Sequence, residues 1–206
     1  MNFPIPVFFI FFVAFAAFAA FKRSRQTQNQ NQANLSFLER ERIANNTRKK
    51  DISNLDYLNF CAERLPLSVC EDPTLNAIET TLKELADQKI INLSQYSNTD
   101  LKMMYGPANL TALSEYDDNY HRLATTLTAY AVRLEELNHV AAATAALEYA
   151  MELGIQFSQI YLKLAGLYRK QHTPEKISSI QEALLAMEES FASHVLPKLD
   201  NPTEAS

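Results

Sequence analysis

One set of apolar residues that returns after 34 positions limits what this chain can fold into: Leu127, Tyr130, Ala131 and Leu134 reappear in kind as Tyr161, Leu164, Ala165 and Tyr168. A period in the thirties is the mark of stacked helical hairpins, because each hairpin can bury its apolar side only against the next. Between the two runs, Ala143, Leu147 and Ala150 share one helical face, and Gly154 stands where a helix C-cap would fall. Only three glycines occur in 206 residues. That scarcity fits helices and disfavours the tight backbone turn of a phosphate-binding loop.

The order of residue classes resembles the tetratricopeptide (TPR) family. In that family small residues sit where the two helices of a hairpin cross, and Ala131 and Ala143 take those positions here. Leu127, Leu134 and Leu147 stand where the family usually has tryptophan, tyrosine and phenylalanine, and Ile155 where it has proline. The second copy matches through Tyr161, Leu164, Ala165 and Tyr168, then loses register after Pro174, with Ile177 and Gln181 at the small and aromatic positions. Ile177, Ile180, Leu184 and Met187 still make an apolar stripe, which predicts a longer or displaced helix that caps the stack.

The resemblance implies TPR-like hairpins over residues 117–196 and a protein or peptide partner bound along the first helix of each. By position it implies Thr126, Tyr130, Arg133, Tyr161 and Tyr168 as partner-binding candidates, although the three tyrosines suit a core better than a contact surface. Arg133 could meet a carboxylate on the partner, or simply Glu136 on its own helix.

The N-terminus carries a different signal. Phe3 to Phe21 holds no charge, and these 19 residues would span about 28 Å as a helix, close to the hydrocarbon thickness of a bilayer. Ala17, Ala19 and Ala20 would suit a cleaved secretory signal, but such a signal has basic residues ahead of its apolar core. Here Lys22, Arg23 and Arg25 follow it, so the expectation is an uncleaved anchor over 1–21 with the C-terminal part in the cytoplasm. Residues 22–50 read as a basic polar linker or stalk: Gln26 to Asn34 is almost all glutamine and asparagine, and Leu35, Leu38 and Ile43 lie in a short amphipathic stretch.

Charge divides the chain at the same point. Lys22 to Lys50 has eight basic and two acidic residues, a balance of +6, whereas 51–206 has 11 basic and 22 acidic, a balance of −11. An acidic domain repels phosphates, and the basic stretch lacks interleaved aromatics, so nucleic acid is not expected as a partner. Anionic lipid headgroups attract a basic juxtamembrane run instead.

Over 51–116 the expectation is partly helical and partly irregular. Asp51 to Leu67 is ambiguous between a short helix and an extended segment; Asp72–Pro73 starts a helix carrying Leu75, Ile78, Leu82 and Leu85. A second short helix runs from Asp100 to Tyr105 and ends at Gly106–Pro107. Asp117, Asp118 and Asn119 look like the N-cap of the long helix, and 197–206 reads as a disordered tail.

Catalytic chemistry finds no purchase. His121, His139, His172 and His194 share no motif, and Cys61 and Cys70 lack the further ligands of a zinc site. Glu135–Glu136 and Glu188–Glu189 are adjacent, so on a helix they diverge, whereas acid–base pairs must converge. The expected class is therefore an all-α, single-pass membrane protein, non-catalytic and without cofactor, that serves as an interaction scaffold. A spacer or self-associating homo-oligomer is the alternative, and an enzyme whose site is assembled from residues unconnected in sequence is a third reading. The overall plan is also similar to small membrane-anchored proteins of Clostridium-like bacteria, through Arg48 to Tyr57 and Asn98 to Asn109. That likeness implies placement at a membrane and no particular chemistry.

Overall fold

The computed structural model describes residues 34–200, which are all-α, with no strand among the described residues. The expected anchor over 1–21 and its flank Lys22, Arg23 and Arg25 lie outside them. Among the described residues no helix is long and apolar enough to cross a membrane. The chain divides into two compact units: one from Tyr96–Leu110 with the described residues up to Ile52, the other from Ser53–Gln95 with Thr111 onward.

In the first unit, helix α1 (residues 34–45) lies against α3 (Asn98–Tyr105); α2 belongs to the second unit. Ser97 caps α3 in a reciprocal capping box with Asp100, which satisfies two amide groups the helix start would leave open. Polar pairs fasten α1 to α3: Arg40 to Asp100 at 2.8 Å, Lys102 to Glu41 at 2.9 Å, and Thr99 to the same Glu41. Ala44 is fully buried, as its small side chain permits. Residues 34–50, the later part of the stretch read as a basic linker or stalk, thus belong to a folded unit that includes the amphipathic helix.

Gly106 closes α3 at φ +85°, and a Cβ there would lie 2.6 Å from the Arg48 carbonyl oxygen. Only glycine allows that approach. It lets the Lys50 amide donate to Tyr105 O at 3.0 Å, while the buried Asn109 amide donates to Lys50 O and Tyr105 O at 2.8 and 2.7 Å. Asn109 lies in the 3-10 turn Pro107–Asn109 that leads into α4.

The second unit holds α2 (Pro73–Ala86), α4 (Leu110–Glu136, all but its first residue), α5 (Val140–Glu152), α6 (Ser158–Lys170), α7 (Ile177–Leu185) and α8 (Glu189–Asp200). Leu123, Leu127, Tyr130, Ala131 and Leu134 of α4 fall at helical spacing and enter one continuous core with Ala143, Leu147, Ala150, Tyr161, Leu164 and Ala165. Each fully buried leucine contributes roughly 2 kcal/mol by area removed from water. Helix α5 packs on α6, and α8 returns onto α6 and α7. Gly154, at φ +70°, ends α5 as its position predicts.

Three expectations are corrected. Asp117, Asp118 and Asn119 do not cap a helix, because α4 begins at Leu110 and runs through them. Asp117 instead accepts from the Leu93 amide at 2.7 Å, and Asn119 donates to Lys89 O at 3.1 Å, so both tie the 89–93 segment to α4. The stripe after Pro174 is two helices, since the chain breaks between α7 and α8, and α8 extends to Asp200 through Pro197 and buries Leu199 in the region read as tail. Residues 53–67 resolve as an irregular segment with a 3-10 turn at Ala62–Arg64. It lies along α5: Cys61 N donates to Tyr149 OH at 2.9 Å, Phe60 stacks on that ring, and Arg64 pairs with Glu152.

Candidate functional site

The site candidates read from the sequence separate into two kinds. Tyr130, Tyr161 and Tyr168 are buried to 2 % exposure or less. Their hydroxyls serve the fold: Tyr130 OH lies 2.7 Å from Pro66 O and 3.1 Å from the buried Glu79, Tyr161 OH donates to Ile155 O at 2.8 Å, and Tyr168 OH to Glu148 at 2.8 Å. Burial raises all three phenol pKa values, with the neighbouring carboxylates adding to it at Tyr130 and Tyr168. They act as neutral donors, and their rings present no surface to a partner. Lys22, Arg23 and Arg25 lie outside the described residues.

Thr126 and Arg133, by contrast, both border open space. A groove of about 490 Å³ runs between α2 and α4, lined by Thr74 and Ile78 from α2, Thr125, Thr128, Ala129, Val132, Arg133 and Glu136 from α4, and Phe157 and Gln159 at the start of α6. It continues into a neighbouring depression of about 400 Å³ to which Ala77, Thr81 and Thr126 contribute. Threonine and alanine are short enough to leave the trough open, and Ile78, Val132 and Phe157 give it an apolar floor. Nothing in the sequence marked Phe157 or Ile78 for this role. Phe157 ends the α5–α6 turn rather than belonging to a helical stripe, and Ile78 falls on the α2 stripe that reads as core.

Asp72 fixes the wall of the groove. Its Oδ1 accepts from the Leu75 amide at 2.8 Å and so caps α2, and the same carboxylate takes two bonds from the Arg133 guanidinium at 3.0 and 2.6 Å. Glu136 holds the remaining side of Arg133 at 2.9 Å. The sequence reading paired Arg133 with Glu136 or a partner; its principal bond is to Asp72, 61 residues away. Arg133 is therefore a clamp between α2 and α4 before it is a contact residue. The adjacent Glu135 points the other way, to Lys163 at 2.5 Å and to Lys170 on α6.

The Arg133 guanidinium, and after it the Leu75 amide, hold the Asp72 carboxyl at about 2, below the ordinary 3.8. A carboxyl lowered on folding adds stability that is present above its unfolded pKa and lost as pH falls through its folded one. Arg133→Gln is thus expected to destabilise the chain at neutral pH, with the gap to wild type closing between about pH 4 and pH 2. Urea midpoints measured across that range check it, and a gap independent of pH would refute the clamp.

The described residues hold no cluster of three metal-ligating side chains. Cys61 and Cys70 are free and half-buried, and Cys61 Sγ donates to Glu63 at 2.9 Å. A second, more polar cleft of about 520 Å³ lies among Asn92, Ser94, Gln156, Glu188, Phe191 and His194. Comparison with known protein families, curated proteins and solved structures finds no match to this chain.

Proposed function

We propose that this chain is a non-catalytic interaction scaffold, held at a membrane by its N-terminal apolar run, that binds a protein or peptide partner in the groove between α2 and α4. The observation that carries the reading is the groove itself: an open trough with an apolar floor and short-chained walls, held in place by a charged clamp. A segment with modest apolar side chains fits it, and the acidic excess of residues 51–206 favours neutral or basic flanks on that segment. The TPR-like register supports the same face, because its first helices are α4 and α6 and both border the groove. The anchor reading rests on Phe3 to Phe21 and the basic residues that follow. With it goes a cytoplasmic placement of the C-terminal part.

The test places a photo-crosslinking amino acid at Thr126 or, as a control away from the groove, at the exposed Ala145 of α5. Crosslinking is done in the native membrane with the full chain. A distinct partner is expected from position 126 only. Ala129→Glu, at an exposed position that leaves the core intact, is expected to reduce that product at least about tenfold by putting an unpaired charge in an apolar trough. If both positions give only adducts of the chain with itself, the groove does not take a peptide and self-association is the function.

A further inference from the structure

We infer that the first unit is a membrane-surface adhesion module, in which the outer face of α1 rests on an anionic bilayer and Arg48, Lys49 and Lys50 supply the attraction. The inference rests on the N-terminal anchor proposed above.

Its first support is a face of α1 that has no partner among the described residues. Arg40, Glu41 and Ala44 turn toward α3, and on the remaining arc Leu35, Leu38 and Ile43 are 67, 61 and 47 % exposed. Helical spacing puts these three within one sector, with the Glu39–Arg42 pair among them. Phe37, 56 % exposed, falls on the opposite sector beside Ala44 and is not part of this face. Nothing in helix stability requires the three; an exposed face normally carries charge.

The second support is the basic segment that follows. Arg48, Lys49 and Lys50 are all exposed and form no ion pair among the described residues. They are not a loose tail. Gly106, in a conformation open only to glycine, admits the Arg48 and Lys49 backbone, and Asn109, 2 % exposed, is spent on holding Lys50 O. The fold thus fixes three consecutive cations beside an amphipathic helix.

A bilayer with anionic headgroups over acyl chains complements both features at once. Three basic side chains near such a surface favour an anionic over a neutral bilayer by on the order of a hundredfold. Tethering removes most of the cost of encounter. Residues 22–33 number twelve, and in any conformation they reach at most about 40 Å from the apolar run to α1.

The test uses the full chain reconstituted into vesicles of phosphatidylcholine alone or of phosphatidylcholine with phosphatidylglycerol, read by flotation and by hydrogen exchange of residues 34–50. Exchange is expected to slow at least about tenfold in the anionic vesicles only, and to recover in high salt. Two variants, Leu35→Glu with Leu38→Glu and Arg48→Glu with Lys49→Glu, are expected to float as well as wild type and to lose the slowing. A protein that floats on both vesicles without slowed exchange overturns the inference and leaves the anchor standing. Flotation on anionic vesicles only, stripped by high salt, removes the anchor and upholds adhesion. No flotation on either removes both. Slowed exchange without vesicles that grows with protein concentration assigns the face to a second copy and also overturns the inference.

Discussion

Tyr161→Ala is expected to cost about 4 kcal/mol of unfolding free energy, a large part of what a domain of this size has. The ring is fully buried in the common core, makes an edge contact with Phe191 at 5.7 Å, and lies on α6, the helix against which α5, α7 and α8 all pack. Removing it opens a cavity that three neighbouring helices would have to close together. Tyr161→Phe keeps the ring and removes the donor to Ile155 O, which retains the Phe157 amide at 3.0 Å, so only about 1 kcal/mol is expected. Denaturant titration measures both. The pair also decides what the tyrosine does. If Tyr161 met a partner, Tyr161→Phe would weaken crosslinking at position 126; as a core residue it leaves the crosslink unchanged while lowering stability.

The second large effect is expected at Gly106. Its φ of +85° and ψ of 147° place it where residues with a side chain are essentially absent, and an alanine Cβ would meet Arg48 O, Arg48 C and Lys49 Cα at 2.6, 2.8 and 2.9 Å. All three are backbone atoms, so no rotamer change relieves the clash. Gly106→Ala is expected to cost about 3 kcal/mol or more, and to cost it locally. The segment 48–50 must leave α3, which breaks the bonds from Lys50 N and from Asn109 to Lys50 O. Hydrogen exchange should therefore speed up at Lys50 and through α1 while the core amides of α4 to α6 keep their protection. Equal loss of protection in both units would refute a local role. Gly154→Ala is a useful contrast: it has a positive φ of +70° with nothing within 4 Å of an added Cβ, so only the backbone strain of about 1 kcal/mol remains.

Tyr130 shows how far a helical pattern reaches. The spacing of Leu127, Tyr130, Ala131 and Leu134 places all four on one face, and all four are fully buried. A tyrosine satisfies a core position and a contact position equally well, however, because its ring is apolar and its hydroxyl polar. Which role it takes depends on whether an acceptor waits inside, and Pro66 O and Glu79 come from segments more than fifty residues upstream. Arg133 poses the same question with the opposite sign. Its i+3 neighbour Glu136 is visible in the sequence, while Asp72 is legible only as a helix cap.

Local signals alone determined most of the helices and several of their ends. The period of apolar residues named the buried faces of α4, α5 and α6, Asp72 with Pro73 started α2, and Gly106 and Gly154 ended α3 and α5. These follow from interactions within a turn or two, between positions three or four apart, and so they are written where they act. The groove, the Asp72–Arg133 clamp and the docking of α1 on α3 were decided by the tertiary structure. Each needs side chains from segments separated by some fifty to sixty residues, and no local periodicity records which of two exposed-looking polar groups will meet, or which apolar face will be left open. Aspartates 117 and 118 mark the boundary between the two kinds of information: as sequence they read as a cap, but α4 had already begun at Leu110, and Asp117 bonds the chain of Leu93 instead.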